Sequence, residues 1–198
     1  MNSIKLSKRL QAIANCVIGK RVVDVGCDHG KVAYYLIANN IAEYVICTDI
    51  SAPSVAKAEK LLQENKIAKS KYDIRCGDGL ETVSSADRLD TTVIAGMGGY
   101  ETIKILQNAD FLTKTLVLQP QRNWVDVKKY VLSVQYSIVY DRIIFESLLS
   151  FKSGFSFSGL RYYLRRGSDL TKPKRIDVYL TADSALRILN IEGDRVSV

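Results

Sequence analysis

Three aspartates lie in or directly after short apolar segments, where a carboxylate could bind a ligand. They are Asp24 in VVDVG, Asp49 in ICTDIS and Asp78 in CGDGL. At the end of a buried strand, the Asp49 carboxylate can accept hydrogen bonds from both hydroxyls of a ribose. Asp78, between two glycines, is placed to accept a hydrogen bond from an adenine amino group. Together the three carboxylates predict a nucleoside site. Taken singly, each has a structural explanation as well: Asp24 could serve only to tether a loop, and Asp49 could serve only to cap the next helix.

Two glycine-containing loops accompany these aspartates. The first, DVGCDHG (24–30), leaves room for a ligand to approach the backbone before a helix begins. The second, AGMGG (95–99), would let a flat substrate slide against a bound cofactor, although its glycines could also serve only a tight turn. The first loop has GxxxG spacing instead of the GxGxxG of dinucleotide-binding strands. This difference disfavours an NAD-dependent oxidoreductase.

The elements that must position these loops alternate between apolar runs and amphipathic segments. Residues 6–18 place apolar side chains three and four positions apart, which predicts an N-terminal amphipathic helix. Ser51 and Pro53 are typical of the start of another helix. The predicted strands are 21–26, 43–51, 71–79, 90–99 and 115–120, and the further predicted helices are 31–40, 51–65, 100–107 and 124–132.

This alternation predicts an α/β fold with a mostly parallel, seven-stranded sheet, helices on both of its faces and an antiparallel edge strand. The closing antiparallel pair is expected at 136–146 and 160–166, across a link rich in serine and glycine. Farther along, 176–180 could be a strand and 184–190 a short helix.

The chain has 198 residues, of which 47% are hydrophobic, and this is ordinary for one globular domain. We expect a single domain over residues 1–167, followed by a segment of uncertain structure over 168–198.

The net charge of +7 is concentrated in two segments. Residues 1–21 hold five basic residues and no acid, and residues 161–175 hold six basic residues and one acid, which leaves −3 for the remainder. Clustered Lys and Arg suit a polyanionic partner, because they displace counterions from a phosphate backbone. A solvated basic surface without a partner explains the charge alone equally well.

The cysteines and the single histidine argue against some site classes. Four cysteines form no CxxC pair, which disfavours a zinc site or a disulfide framework and indicates mostly buried, reduced thiols. Nowhere do about 18 apolar residues follow one another. We therefore expect a cytoplasmic protein that has no metal and no membrane segment.

The segments DVGCDHG, TDIS, GDGLE, IAGMGG and LVLQPQRN resemble successive motifs of the bacterial tRNA adenine-N1 methyltransferases that modify position 22 in the D-arm. The resemblance covers about residues 5–147, and the pairing of DxGxDHG with AGMGG is more specific than a generic methyltransferase signature. It implies a Rossmann-like class I methyltransferase that uses S-adenosyl-L-methionine (AdoMet) and acts on tRNA; a monomer is favoured. Relatives carry a longer coiled-coil-like extension, which the segment after Phe151 does not resemble, and Cys27 and Cys47 stand where other residues are common.

The resemblance also implies which residues meet the cofactor and the substrate. The adenine would enter beside Asp28, His29 and the 96–99 loop. The expected cofactor-binding residues are Asp24, Gly26, Cys27, Asp49, Ile50, Gly77, Asp78, Gly79, Ala95 and Gly96. The expected substrate-binding residues are Arg9, Met97, Gly98, Gly99, Arg161, Arg165 and Arg166.

Asp28 and His29 are the expected catalytic residues. Adenine N1 has an available lone pair, so methyl transfer needs the N1 atom in line with the sulfonium methyl at about 3 Å and no prior proton removal. Asp28 would stabilise the positive charge that the ring gains or hold its N6 amino group, and His29 would orient Asp28 or stack on the base. The alternative is that both residues only support the loop. Tyr100 and Trp124 are candidates for a stacking surface, with core packing as the alternative.

Two other functions stay open from the sequence. One is a methyltransferase of the same fold that acts on a small molecule or a protein. The other is a non-catalytic RNA-binding module that retains the nucleotide pocket.

Overall fold

A single sheet flanked by helices makes up the computed structural model, which describes residues 4–145 and 185–192. The strands are β1 (Arg21–Val25), β2 (Tyr44–Asp49), β3 (Tyr72–Cys76), β4 (Thr91–Met97), β5 (Thr115–Pro120), β6 (Ser137–Phe145) and β7 (Ala185–Glu192). The helices are α1 (Lys8–Asn15), α2 (Lys31–Ala38), α3 (Ala52–Glu64), α4 (Gly99–Gln107) and α5 (Trp124–Ser133), with 3-10 turns at Lys69–Lys71 and Ser85–Asp87.

Strands β1 to β5 form the parallel part of the sheet, in the order β3-β2-β1-β4-β5. The chain adds strands in one direction from β1 to β3 and then returns to the other side of β1 to form β4. The carboxyl ends of β1 and β4 therefore meet at a switch in strand order, where open parallel sheets bind ligands. The predicted Rossmann-like α/β fold with a parallel sheet is confirmed on these five strands.

Two further strands extend the sheet beyond β5, in the order β5-β7-β6. Strand β7 is antiparallel to both neighbours, so the antiparallel strand lies one position inside the edge, whereas the sequence placed it at the edge itself. The short helix predicted over 184–190 is wrong, because β7 (Ala185–Glu192) pairs along its length with β6 and through residues 189–192 with β5. Pairing between distant segments overrides a local apolar pattern. The strands expected at 160–166 and 176–180 lie outside the described residues.

Alternate residues of the buried strands pack on opposite faces of the sheet. Val22 of β1 and Val93 of β4 belong to the core that α1, α2 and α3 cover. Val23 and Ile94, the next residues along, belong to the core that α4 and α5 cover. Both faces are thus buried, which explains why these strands read as continuous apolar runs.

The helix boundaries follow local capping. The Ser51 hydroxyl accepts a hydrogen bond from the Ser54 N–H at 3.4 Å and Pro53 lies in the first turn, as predicted for the start of α3. Helix α1 is shorter than the predicted 6–18 segment, because it starts after Ser7 and its C-cap is Cys16. Across residues 4–145 and 185–192, no helix combines the length and apolar character needed to cross a bilayer.

Gly30 fixes how closely α2 approaches α3. Its φ is +65°, and a Cβ at this position would lie 2.8 Å from the Ala58 Cβ and 3.0 Å from the Ala58 Cα. We expect Gly30→Ala to lower the free energy of unfolding by about 2 kcal/mol or more, because it combines a left-handed backbone with a steric overlap. Urea denaturation measures this change.

Gly98→Ala is the matched control for this substitution. Gly98 has a φ of −68°, and no atom lies within 4 Å of the place that its Cβ would take. Its stability should stay within about 0.5 kcal/mol of the wild type. Equal stability of the two variants would show that Gly30 does not limit the contact between α2 and α3.

Candidate functional site

A cavity of about 490 Å³ opens at the carboxyl ends of β1, β2 and β4, next to the switch in strand order. Its volume is within the usual range for small-molecule sites. Thirteen residues that the sequence singled out line it: Arg9, Asp24, Gly26, Cys27, Asp28, His29, Asp49, Ile50, Asp78, Gly79, Ala95, Gly96 and Met97. The predicted carboxylates therefore do converge on one cavity.

Asp24 is the most deeply buried of these carboxylates, with 4% of its surface exposed. Within the described part of the chain, its Oδ2 atom is buried and has no hydrogen-bond partner. Desolvation by burial raises the pKa of Asp24 from 3.8 to about 7; a hydrogen bond from the Ala33 backbone opposes this rise, and the nearby Asp49 carboxylate adds to it. A buried acceptor without a partner is costly unless a donor or a cation reaches it.

Asp49 ties the loops after β1 and β2 together. Its Oδ2 atom accepts a hydrogen bond from the Asp28 N–H at 3.1 Å, and its Oδ1 atom accepts one from the Ser51 N–H at 2.9 Å. Each carboxylate oxygen has a second lone pair, so both can accept further donors from a ligand. The alternative role of Asp49 as a helix-start residue is thus compatible with a binding role.

The loop after β1 follows a strained path around the cavity. Gly26 has a φ of +67°, and its N–H donates to the Thr48 carbonyl at 2.8 Å, which holds the loop against β2. Asp28 also has a positive φ, of +48°, which is uncommon for a residue with a side chain. Such conformations persist where the surroundings enforce them, often in binding loops.

The side chains of Asp28 and His29 lie at the mouth of the cavity. Their exposed fractions are 68% and 48%, so both can contact a molecule that enters from solvent. The His29 Nε2 atom lies 3.7 Å from the Asp28 Oδ2 atom, which is longer than a hydrogen bond. The catalytic roles assigned to these two residues stay predictions.

The loops after β4 and β5 close another side of the cavity. Met97 packs over Gly26, since a Cβ on Gly26 would lie 2.1 Å from the Met97 Cε atom. The Met97 carbonyl accepts a hydrogen bond from the Gln121 N–H at 2.8 Å, which joins the two loops. Gly98 and Gly99 do not line the cavity: Gly98 is the N-cap of α4, and Gly99 packs against the backbone at Arg122.

Gln119 is a buried residue beside the site that the sequence analysis missed. Its Oε1 atom accepts hydrogen bonds from the Arg9 Nη1 atom at 2.9 Å and from the Gly96 N–H at 3.2 Å. It therefore links α1 to the end of β4 and holds Arg9 beside the cavity. The signal for it was a single polar residue at the end of the apolar run TLVLQP.

The remaining predicted site residues do not line the cavity or lie outside the described residues. Gly77 lies outside the cavity lining, and its N–H bonds to the Asp49 carbonyl at 3.0 Å. Arg161, Arg165 and Arg166 lie outside the described residues. Seven further residues line the cavity but belong to no motif that would have predicted it: Leu10, Val25, Lys31, Val32, Glu101, Ile105 and Gln121.

The cysteines are free thiols, and three of them are buried while Cys76 is exposed. A hydrogen bond with Cys27 and burial raise the pKa of the Cys47 thiol well above its usual value, so Cys47 stays protonated. In the parts of the chain that the structure covers, no group of three or more His, Cys, Asp or Glu side chains is arranged to hold a metal ion.

Comparison with known proteins places the chain among methyltransferases. Residues 6–152 match the family described as Methyltransferase domain. The tRNA (adenine(22)-N(1))-methyltransferase of Bacillus subtilis is 33% identical over 150 residues, which are 74% of this chain and 62% of that protein. The chain spans 62% to 66% of the length of the curated relatives it matches.

Solved structures share the fold. A Streptococcus agalactiae protein of the NADB-Rossmann superfamily is 26% identical, with a TM-score of 0.74 over 100% of this chain and 72% of that one. A Streptococcus pneumoniae protein in complex with AdoMet is 20% identical, with a TM-score of 0.71 over 98% of this chain and 76% of that one. The fold of these structures agrees with the family match over residues 6–152, and that match shows that the chain belongs to the methyltransferase-domain family.

Proposed function

We propose that this chain transfers a methyl group from AdoMet to N1 of an adenine in tRNA, at position 22 of the D-arm. The observation that carries the proposal is the convergence of Asp24, Asp49 and Asp78 on one cavity, where the Asp24 Oδ2 atom is buried without a partner. The Bacillus subtilis relative bears the name of this activity, and the basic segments of the chain suit a polyanionic substrate.

The cavity lining fits AdoMet chemically. AdoMet carries a sulfonium and an ammonium group, and both cations are favoured by a pocket lined by five carboxylates, those of Asp24, Asp28, Asp49, Asp78 and Glu101. The unpartnered Asp24 Oδ2 atom would accept a hydrogen bond from the ammonium. The Asp49 oxygens would accept the ribose hydroxyls, and Asp78 would accept the adenine amino group.

The residues of the chain would contribute mainly by positioning. When bound, AdoMet supplies an electrophilic methyl group, and adenine N1 supplies the lone pair, so the protein must hold the two in line. Asp28 stands at the cavity mouth with its backbone pinned to Asp49, where its carboxylate would stabilise the cationic adenine ring. A shift of about 1 Å would bring the His29 Nε2 atom into hydrogen-bond distance of the Asp28 carboxylate, and this bond would orient the carboxylate.

The wider assignments belong to the same proposal. We place the catalytic domain in residues 1–167. Strand β7, from the 168–198 segment, would join this domain as the seventh strand of its sheet and, among the described residues, the only antiparallel one. Arg9 and the basic cluster of Arg161, Arg165 and Arg166 would contact the tRNA. The enzyme would act as a cytoplasmic monomer.

The direct test is incubation of the protein with unmodified tRNA and methyl-labelled AdoMet. We expect one labelled base, 1-methyladenosine at position 22, and no label when that adenine is replaced by guanine. Label on a protein or a small molecule would support another methyltransferase of the same fold. AdoMet binding without transfer to any tRNA would contradict the proposed substrate.

Two substitutions separate cofactor binding from turnover. Asp49→Ala should weaken AdoMet binding by at least about tenfold, since hydrogen bonds to a charged group contribute about 1.5–3 kcal/mol. Asp28→Ala should leave AdoMet affinity within a few-fold of the wild type and lower turnover by about a hundredfold. Calorimetry and single-turnover methylation measure the two effects.

Asp110→Ala is the control for both substitutions, because Asp110 is exposed and does not line the cavity. It should bind AdoMet and turn over like the wild type. Full turnover of Asp28→Ala would remove Asp28 from the catalytic residues.

The raised pKa of Asp24 predicts a pH dependence of AdoMet binding. In the free protein this pKa is about 7, and a bound cation lowers it because the cation stabilises the ionised carboxylate. Binding should therefore release a proton below pH 7, and affinity should rise from about pH 5.5 to pH 7 and then level off. Calorimetry in two buffers of different ionisation enthalpy measures the released proton.

Asp24→Asn should bind AdoMet more weakly and lose this pH dependence. His29→Gln should keep it, which excludes the only histidine of the chain as its source. A wild-type affinity that does not change between these pH values would show that Asp24 does not meet the cation.

A further inference from the structure

Two aromatic side chains stand at the start of neighbouring helices beside the cavity. Helices α4 and α5 begin against each other, because the Gly99 N–H donates to the Arg122 carbonyl at 2.9 Å. A Cβ on Gly99 would also lie 2.7 Å from the Asn123 carbonyl oxygen. Tyr100 follows Gly99 and Trp124 follows Asn123, so the backbone contact brings both aromatic residues to the same part of the surface.

These side chains are exposed, although residues of their size usually bury most of their surface. The exposed fraction is 65% for Tyr100 and 36% for Trp124, and Val125 beside them is 43% exposed. Core packing, the alternative that the sequence left open, is therefore wrong for Tyr100 and incomplete for Trp124. Exposed aromatic groups of this kind mark interaction surfaces more often than isolated aliphatic residues do.

The aromatic patch, defined here as Tyr100 and Trp124, adjoins the mouth of the cavity. Glu101, the residue after Tyr100, lines the cavity, and so does Gln121, three residues before Trp124. The hydrogen bond from the Gln121 N–H to the Met97 carbonyl holds the two loops together at this edge. A substrate that reaches the cavity across this edge would meet the patch.

We propose that the aromatic patch stacks on the tRNA bases that flank the target adenine. This inference rests on the proposed function. An adenine in a folded tRNA must leave its stack to reach the cavity, and this exposes the faces of its neighbours at a cost of a few kcal/mol. Aromatic side chains offset that cost, since each accepts the face of any base without regard to sequence.

The chemistry of this surface favours RNA over an apolar partner. The patch has a phenol and an indole in place of a continuous aliphatic face. The Lys128 Nζ atom lies 5.0 Å from the centre of the Trp124 ring, but its charge is already paired with the Asp141 carboxylate. Arg122, two residues before Trp124, is an exposed cation that can pair with a phosphate or stack on a base. Exposed aromatic rings near an arginine are typical of single-stranded nucleic-acid sites.

The chain offers a direct reporter, because Trp124 is its only tryptophan. With the protein first saturated with S-adenosylhomocysteine, addition of unmodified tRNA should quench the tryptophan fluorescence by at least about half. The concentration dependence of the quenching should match the tRNA affinity measured by filter binding.

Substitutions test the energetic role of the patch. Trp124→Leu and Tyr100→Ala should each lower tRNA affinity by about tenfold, with the same factor at low and high salt, because stacking releases no counterions. Leu132→Ala is the control: Leu132 is 47% exposed in the last turn of α5, away from the cavity, and its variant should bind tRNA normally. All three variants should keep the wild-type affinity for S-adenosylhomocysteine.

The outcomes separate this inference from the proposed function. Methylation of tRNA with no quenching and unchanged affinity in both aromatic variants would overturn the stacking surface and leave the activity standing. Quenching by tRNA together with the affinity losses would support it. Failure of tRNA to bind or to be methylated would overturn both.

Discussion

The desolvation of the Asp24 carboxyl group is the constraint on which the site depends. This side chain stands in β1, which is flanked on both sides by β2 and β4, and only 4% of its surface is exposed. Burial raises its pKa to about 7, because the ionised carboxylate is poorly solvated there. The carboxyl group is therefore stable when it is protonated or when a cation lies beside it. A cation bound beside the Asp24 carboxylate would offset this desolvation cost.

The Asp49 carboxylate is held in place before any ligand arrives. Asp49 accepts hydrogen bonds from the Asp28 and Ser51 N–H groups, and the Gly26 N–H bonds to the Thr48 carbonyl. These contacts fix the loops after β1 and β2 relative to each other, so binding a nucleoside would not have to order them. The same contacts hold Asp28 at the cavity mouth with a positive φ, a backbone conformation that is unfavourable for a residue with a side chain.

Features set by neighbouring residues or by the general rules of parallel sheets could be predicted, whereas the partners of particular distant segments could not. Ser51 caps α3 as expected, because capping needs only the next few residues. A short helix was expected over 184–190, where the structure has β7, because the conformation of this segment is set by pairing with β5 and β6. Gln119 stood out only as a polar residue at the end of an apolar run, and its role could not be predicted because its partner Arg9 lies 110 residues away. The convergence of Asp24 and Asp49 was predictable, since the ends of parallel strands meet at one edge.

The central claim is that a nucleoside-containing cation lies between the carboxylates at the ends of β1, β2 and β3. A crystal structure of the protein with S-adenosylhomocysteine bound tests it most directly. We predict that the ligand ammonium lies within about 3.2 Å of the Asp24 carboxylate, with the ribose hydroxyls on Asp49. A ligand bound elsewhere, or one that leaves the Asp24 Oδ2 atom without a partner, would contradict the account.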